Sequence, residues 1–418
     1  MKKIRCLLPL LCVFALCGCD AVSEKVNTFI ENDANIGKNA PAVMGSIADI
    51  EEINKAAEES ERAEKTPEEL AAEKAAAERK KLEDRADEFL SEMTAAEKTG
   101  QLLLARMPKG AAEKITEYNF GGYTMYAEDF ENETPETVAA LTSEISETVK
   151  IAPFIAVDEE GGNVIRVSKY TQFREEPFSS PQLLYSRGGT ELLEIDTTEK
   201  AQLLKSLGIN LNLAPVADIS TNEESYIYPR TMGTGAETAA EGIAAIVKTA
   251  SKHNLASCLK HFPGYGENTD THKNTSVDSR ELSEFLNRDF VTFRAGIAAD
   301  ESKLPMIMMG HTVYESIDSG IPASLSEKLH EILRDELEFD GVIITDDMGM
   351  DAIKEYESEE SVYTAAVLAG NDMLCVTDWE TAYNDLTAAY ENGTITDDIL
   401  DSHVRRILIM KLQYGIIK

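Results

Sequence analysis

Past residue 100 the chain alternates short apolar runs with longer amphipathic segments. Eight of the runs read as strands: Gln101–Met107, Gly121–Ala127, Ile151–Asp158, Ile209–Asp218, Leu255–His261, Pro305–His311, Gly341–Asp347 and Asp372–Thr377. Gly341-Val342-Ile343-Ile344 is apolar at successive positions, so both faces of that strand are hydrophobic, as in parallel strands covered by helices. The intervening segments have helical length. Eight strand–helix units over about 330 residues predict an α/β fold with a single (β/α)₈ barrel. An open doubly wound sheet is the alternative, because periodicity does not say whether a sheet closes.

Polar residues gather where the apolar runs stop: Asp158, Asp218, Lys260, His261, His311 and Asp346. One such residue is ordinarily a loop cap or a strand-end salt bridge. Several together point to a pocket, because the C-terminal strand ends of a barrel share one face. The run Val404 to Leu412 reads as the helix that closes the barrel, with the site completed from within one domain.

The N-terminal part has a different texture. Lys2, Lys3 and Arg5, the apolar run Leu7 to Leu16 and then Cys17-Gly18-Cys19 make an export signal, too short in its apolar part for a comfortable membrane span. Leu16-Cys17-Gly18-Cys19 resembles the bacterial lipobox, with Cys19 as the lipid-bearing first mature residue. An uncleaved anchor or a soluble export signal are the alternatives. From Asp20 to about Asp84 the chain is rich in Glu, Lys and Ala and reads as a stalk. Thr66-Pro67-Glu68-Glu69 starts a helix running to about Met93, and Thr94-Ala95-Ala96-Glu97 starts the next. The expected organisation is a signal at 1–18, an acidic helical stalk at 19–84 and a catalytic domain at 85–418, outside the cytoplasm and tethered to a bacterial membrane.

With 418 residues, 43% of them apolar, the chain can bury a large core, which excludes global disorder. A formal charge of −35 without a basic patch argues against a nucleic-acid partner. Four of the six cysteines lie in the leader, so Cys258 and Cys375 in the body support no disulfide framework and read as buried small hydrophobes. The six histidines are scattered without metal-site spacing, so no cofactor is expected.

The most informative stretch is Lys260-His261-Phe262-Pro263-Gly264-Tyr265-Gly266-Glu267-Asn268-Thr269-Asp270-Thr271-His272, which leaves a strand and enters a glycine-rich loop. With Val157-Asp158-Glu159-Glu160-Gly161-Gly162, Arg166, Asn212-Leu213-Ala214-Pro215-Val216, Arg230 and Phe339 through Met348, it resembles glycoside hydrolase family 3, in its β-N-acetylhexosaminidase branch. The resemblance runs from about Met93 to the C-terminus. Tyr265 and Glu159 stand where His is frequent in that branch, Asn163 where Arg is, and Thr345 where Ser is.

Retaining glycoside hydrolysis asks for a nucleophile at the anomeric carbon and an acid at the departing oxygen. The resemblance implies Asp346 for the first, with Asp347 supporting it, and His272 for the second, with Asp270 two residues earlier to fix the tautomer. It implies that Asp158 grips sugar hydroxyls and that Arg166, Arg230, Lys260 and His261 contact hydroxyls or the acetamido group. His311 is expected in the pocket without an assigned role, and Trp379 either stacks on sugar or packs on the barrel. The expected activity is release of terminal β-linked N-acetylglucosamine from muropeptides or other glycans. A phosphorylase using the same dyad and a non-catalytic glycan-binding lipoprotein are the alternatives.

Overall fold

The computed structural model describes residues 66–266, 276–354, 356 and 361–418. Cys19, most of the acidic segment, and Asp270 and His272 lie outside the described residues. The chain divides into two compact units, Met1–Glu78 and Arg79–Lys418. A helix covers Pro67–Glu92. Its start carries the expected cap: the Thr66 N–H donates to Glu69 Oε2 at 2.7 Å and the Thr66 hydroxyl accepts from the Glu69 N–H at 3.2 Å. Thr94 and Glu97 make the same reciprocal pair at the next helix, Ala95–Gln101.

The second unit is built on strands β1 (Leu103–Arg106), β2 (Gly122–Met125), β3 (Phe154–Val157), β4 (Leu211–Asn212), β5 (Ala256–Phe262), β6 (Val277–Asp278), β7 (Met306–Met309), β8 (Val313–Tyr314), β9 (Ile343–Thr345) and β10 (Leu374–Val376). Eight of them form one sheet in the order β10-β1-β2-β3-β4-β5-β7-β9, parallel throughout. Its two edges meet through a parallel bridge between Ile344 and Met373, with the Thr345 N–H donating to Met373 O at 3.2 Å. The sheet is therefore a nearly closed barrel, and each of the eight apolar runs coincides with one of its strands, β5 running one residue further to Phe262.

Side chains on these strands are almost fully buried, from Leu103, Leu104 and Ala105 on β1 to Ile343 and Ile344 on β9. Helices such as Ala236–Lys252 and Asp289–Ile297 cover the outside, where Ile243 and Val247 join Phe290 and Phe293 in one apolar cluster. Both faces of each strand meet apolar neighbours, which is why the runs are continuous rather than alternating. The remaining pair, β6 with β8, is a two-residue parallel ladder beside the barrel. Its Val277 is 54% exposed, so no burial pattern in the sequence marks it.

The N-terminal end of the barrel is sealed by charge. Asp372, fully buried just before β10, accepts from Arg334 Nη2 at 2.9 Å, Arg406 Nη1 at 2.9 Å, His403 Nδ1 at 2.8 Å and the Ile343 N–H at 2.8 Å. Burial alone would raise its pKa, but Arg334, His403 and Arg406 outweigh it and hold the carboxyl well below the usual range.

Lys411, on the helix Asp397–Gln413, is also fully buried and donates to Gln101 Oε1 at 2.7 Å. Burial pushes its ammonium down to about 7. The unfolded chain keeps that proton up to about pH 10.4, so above about pH 7 the unfolded state binds more protons and stability rises with pH. A displacement of about three pH units costs on the order of 4 kcal/mol near neutrality. Stripping Gln101 Oε1 of its donor costs about 1–3 kcal/mol. Lys411→Met is therefore expected to raise the midpoint of thermal unfolding at neutral pH by a few degrees. It should also flatten the rise in stability toward alkaline pH. Melting curves over that range check both, and a variant that keeps the wild-type slope contradicts the assignment.

Trp379 opens the helix Trp379–Glu391 and packs edge-on against Tyr118 and Phe120, with ring centroids at 5.1 and 5.3 Å. Of its two expected roles the structure shows the packing one.

Candidate active site

The C-terminal strand ends open into a cleft of 500 Å³ whose walls include Asp158, Arg166, Arg230, Lys260, His261 and Asp346. These six sequence-derived residues are thus brought together, whereas Asp218 and His311 stand behind the cleft wall. They sit at or beyond the C-terminal parts of strands: Asp158 after β3, Arg230 on the connection after β4, Lys260 and His261 in β5, Asp346 after β9. The Lys260–His261 and Phe262–Pro263 peptides are cis.

Three consecutive acids after β3 have three different fates. Asp158 accepts from Lys260 Nζ at 2.7 Å, with Arg166 Nη2 3.8 Å from its other oxygen. Glu159 turns away from the cleft, fully buried, and accepts the N–H groups of Arg166 at 2.8 Å, Val167 at 2.7 Å and Ser168 at 3.3 Å. It therefore clamps the loop that carries Arg166 and does not line the cleft. Glu160 accepts from Arg230 through Nε at 3.0 Å and Nη2 at 2.8 Å, and lies 2.7 Å from Lys260 Nζ.

The electrostatics follow from that geometry. Burial would raise the Glu160 pKa, yet Lys260 and Arg230 more than offset it and keep the group ionised far below the ordinary range. Burial would lower Lys260 and Arg230, and their carboxylate partners hold both well above their ordinary values. The floor of the cleft is thus a charged lattice with fixed positions, and breaking one member leaves another buried and unpaired.

Asp218 fixes His261. Buried on the segment that follows β4, it accepts from the His261 ring Nδ1–H at 2.7 Å, the His261 backbone N–H at 3.1 Å and the Tyr265 N–H at 2.7 Å. A carboxylate can only accept, so Nδ1 carries the proton and Nε2 is the nitrogen presented to Asp346, whose Oδ2 lies 3.9 Å away.

Asp346 is held from its backbone: its N–H donates to Met309 O at 2.8 Å and its Oδ1 accepts from the Asp347 N–H at 2.8 Å. Asp347 accepts from Thr377 Oγ1 at 2.9 Å, the Gly349 N–H at 2.9 Å and the Tyr126 hydroxyl at 3.3 Å. Burial, and after it the neighbouring Cys375, Asp347 and Asp158, pushes the Tyr126 phenol well up, so it stays a donor. His311 lies beneath this turn and is not part of the cleft wall. It is 1% exposed, its Nε2–H donates to Asp347 O at 3.1 Å and its Nδ1 accepts from the Ser324 hydroxyl at 2.8 Å. Burial lowers its pKa, which keeps the imidazole neutral in that tautomer.

Glu160, Asp218 and Tyr126 are the site residues to which the sequence assigns no role. The strand-end rule does single out Asp218. Glu160 is marked only by its place in the Val157–Gly162 motif, and nothing in the pattern marks Tyr126.

A polar cleft of this kind at the C-terminal face of a parallel barrel defines a barrel enzyme that binds a polar substrate. The profile of the glycosyl hydrolase family 3 N-terminal domain matches residues 94–410, and the chain belongs to glycosyl hydrolase family 3. It is 30% identical over 308 residues to a β-hexosaminidase of Hydrogenovibrio crunogenus, covering 71% of this chain and 81% of the relative. It is 31% identical over 301 residues to a β-hexosaminidase of Bordetella avium, covering 69% and 81%. Among solved structures, the family 3 β-N-acetylglucosaminidase of Paenibacillus sp. str. FPU-7 superposes with a TM-score of 0.70 at 28% identity. The match covers 78% of this chain, which spans 63% of that structure's length.

Proposed function

We propose that this protein is a retaining exo-β-N-acetylglucosaminidase. The observation that carries the reading is the placement of Asp346, a carboxylate fixed at a strand end in the cleft and faced by His261 Nε2 at 3.9 Å. The names of the relatives supply the sugar. The sugar in the cleft meets Asp158, Lys260 and Arg230 as a preorganised set of acceptors and donors, with Arg166 at the side. Asp346 attacks the anomeric carbon and forms a glycosyl-enzyme ester as the glycosidic bond breaks. His272, oriented by Asp270, gives its proton to the departing oxygen and then takes one from the attacking water. Asp218 fixes the His261 ring beside the nucleophile, and His311 and Tyr126 hold the turn behind it.

The test is the stereochemistry of the first product. Proton NMR of a β-N-acetylglucosaminyl disaccharide during turnover is expected to show β-N-acetylglucosamine before mutarotation. The α anomer as first product would overturn the reading. Sugar 1-phosphate accumulating only when phosphate is added would replace hydrolysis by phosphorolysis.

The export signal and lipobox support a location outside the cytoplasm, with Cys19 lipidated, residues 19–84 acting as a stalk and the catalytic domain from residue 85 held near the membrane. Peptidoglycan fragments are the fitting substrate there. Mass spectrometry of the mature protein is expected to find Cys19 at the N-terminus carrying lipid; an unmodified terminus beyond Cys19 removes the anchor.

A further inference from the structure

The lip of the cleft carries an aromatic side chain that the roles above leave unused. Tyr226 is 41% exposed and lines the cleft. Its neighbour Ile227 is fully buried in a small cluster with Val216 and Tyr265. Three residues further on, Arg230 reaches into the floor and pairs with Glu160 at 2.8 Å. The Ser225 N–H donates to Asn222 O at 3.0 Å and the Tyr228 N–H to Ser225 O at 3.2 Å, which closes the turn on both sides. One turn thus turns Ile227 inward, sets Arg230 in the floor and leaves Tyr226 at the mouth. The ring is placed by its anchored neighbours rather than left on a loose loop.

Tyr226 is also the outer end of a row of groups that begins at the nucleophile. His261 Nε2 lies 3.9 Å from Asp346 Oδ2. The His261 ring meets the Tyr265 ring edge-on at 5.7 Å between centroids, and Tyr265 meets Tyr226 at 6.0 Å with the planes tilted by 37°. Exposure is 5% at His261, 5% at Tyr265 and 41% at Tyr226, so the row climbs from the floor to solvent. A bound pyranose whose anomeric carbon meets Asp346 projects its leaving group away from the floor. A saccharide whose next ring leaves the floor along this row would meet the face of Tyr226. Pyranoses present a face of C–H groups, and the negative face of an aromatic ring is the complementary surface.

We infer that Tyr226 is the stacking platform for the sugar ring on the leaving-group side of the scissile bond, so that the enzyme favours saccharide aglycones over small ones. The inference rests on the glycosidase reading above and extends it to the side of the cleft that the family motifs leave open.

The experiment compares kcat/KM on N,N′-diacetylchitobiose with kcat/KM on β-N-acetylglucosaminyl fluoride, whose leaving group cannot stack. Tyr226→Ala and Tyr226→Leu are each expected to lower the disaccharide-to-fluoride ratio by about 10-fold. Tyr226→Phe and Tyr226→Trp are expected to keep it. A ratio unchanged in the alanine and leucine variants overturns the platform while leaving the glycosidase reading intact. A ratio that falls equally in Tyr226→Phe overturns stacking as well, because the hydroxyl would then be the active group. Wild-type protein inert on both substrates overturns the glycosidase reading, and the platform with it.

Discussion

Replacing Asp346 with alanine is expected to lower turnover of a β-N-acetylglucosaminide by at least about 10⁴-fold, as loss of the group that forms the covalent intermediate typically does. The fold should survive, because the Asp346 backbone is anchored to the barrel on its own, its N–H donating to Met309 O at 2.8 Å. Its side chain is 18% exposed and faces the cleft. Added azide supplies the control that separates chemistry from folding. It can enter the space left by the carboxylate, attack the anomeric carbon of an activated glycoside and give the α-azide with recovered rate. Rate near wild type in Asp346→Ala would move the nucleophile elsewhere. Asp347→Asn is expected to cost less than Asp346→Ala. Its oxygens are already engaged by Thr377, Tyr126 and the Gly349 N–H, so it shapes the turn and does not attack.

The barrel was legible because each strand is buried on both faces, which writes a continuous apolar run into the sequence, and because the polar residues sit where each run stops. Lys260, His261, Asp158 and Asp346 all follow from that rule. What the rule lacks is side-chain direction. Asp158, Glu159 and Glu160 are adjacent acids, yet one faces Lys260, one turns inward to bind three backbone N–H groups, and one pairs with Arg230. Their fates are decided by groups up to 102 positions away, the Lys260–Asp158 contact among them, and no local pattern encodes those. The same holds for His311, whose place at a strand end suggests the cleft while its ring binds the turn beneath it. The β6–β8 ladder escaped for a different reason, since two residues with one side exposed have no periodicity to read.

Loss of His272 should show itself in the leaving group. If His272 donates the proton, His272→Ala slows a natural disaccharide far more than a nitrophenyl glycoside, because a phenolate departs with little protonation and a sugar alkoxide does not. General acid catalysis is worth about 10²–10⁴-fold, and most of that should fall on the disaccharide alone. Asp270→Asn or Asp270→Ala should act in the same direction but more weakly, since in the proposed mechanism Asp270 orients the imidazole without delivering the proton. The pH profile gives an independent reading: the alkaline limb of kcat/KM for the disaccharide, which reports the acid, should disappear in His272→Ala. Other acids lie in or behind the cleft, and their positions decide what a negative result means. Glu160 is committed to Lys260 and Arg230, and Glu159 is fully buried on the backbone of its own loop, so neither can reach a glycosidic oxygen without breaking those bonds. Equal slowing of both substrates in a folded His272→Ala protein would assign His272 to substrate positioning. The exposed acid at the lip, Glu128, is no ready substitute, because a backbone hydrogen bond and the Arg106 guanidinium hold its pKa below the usual range.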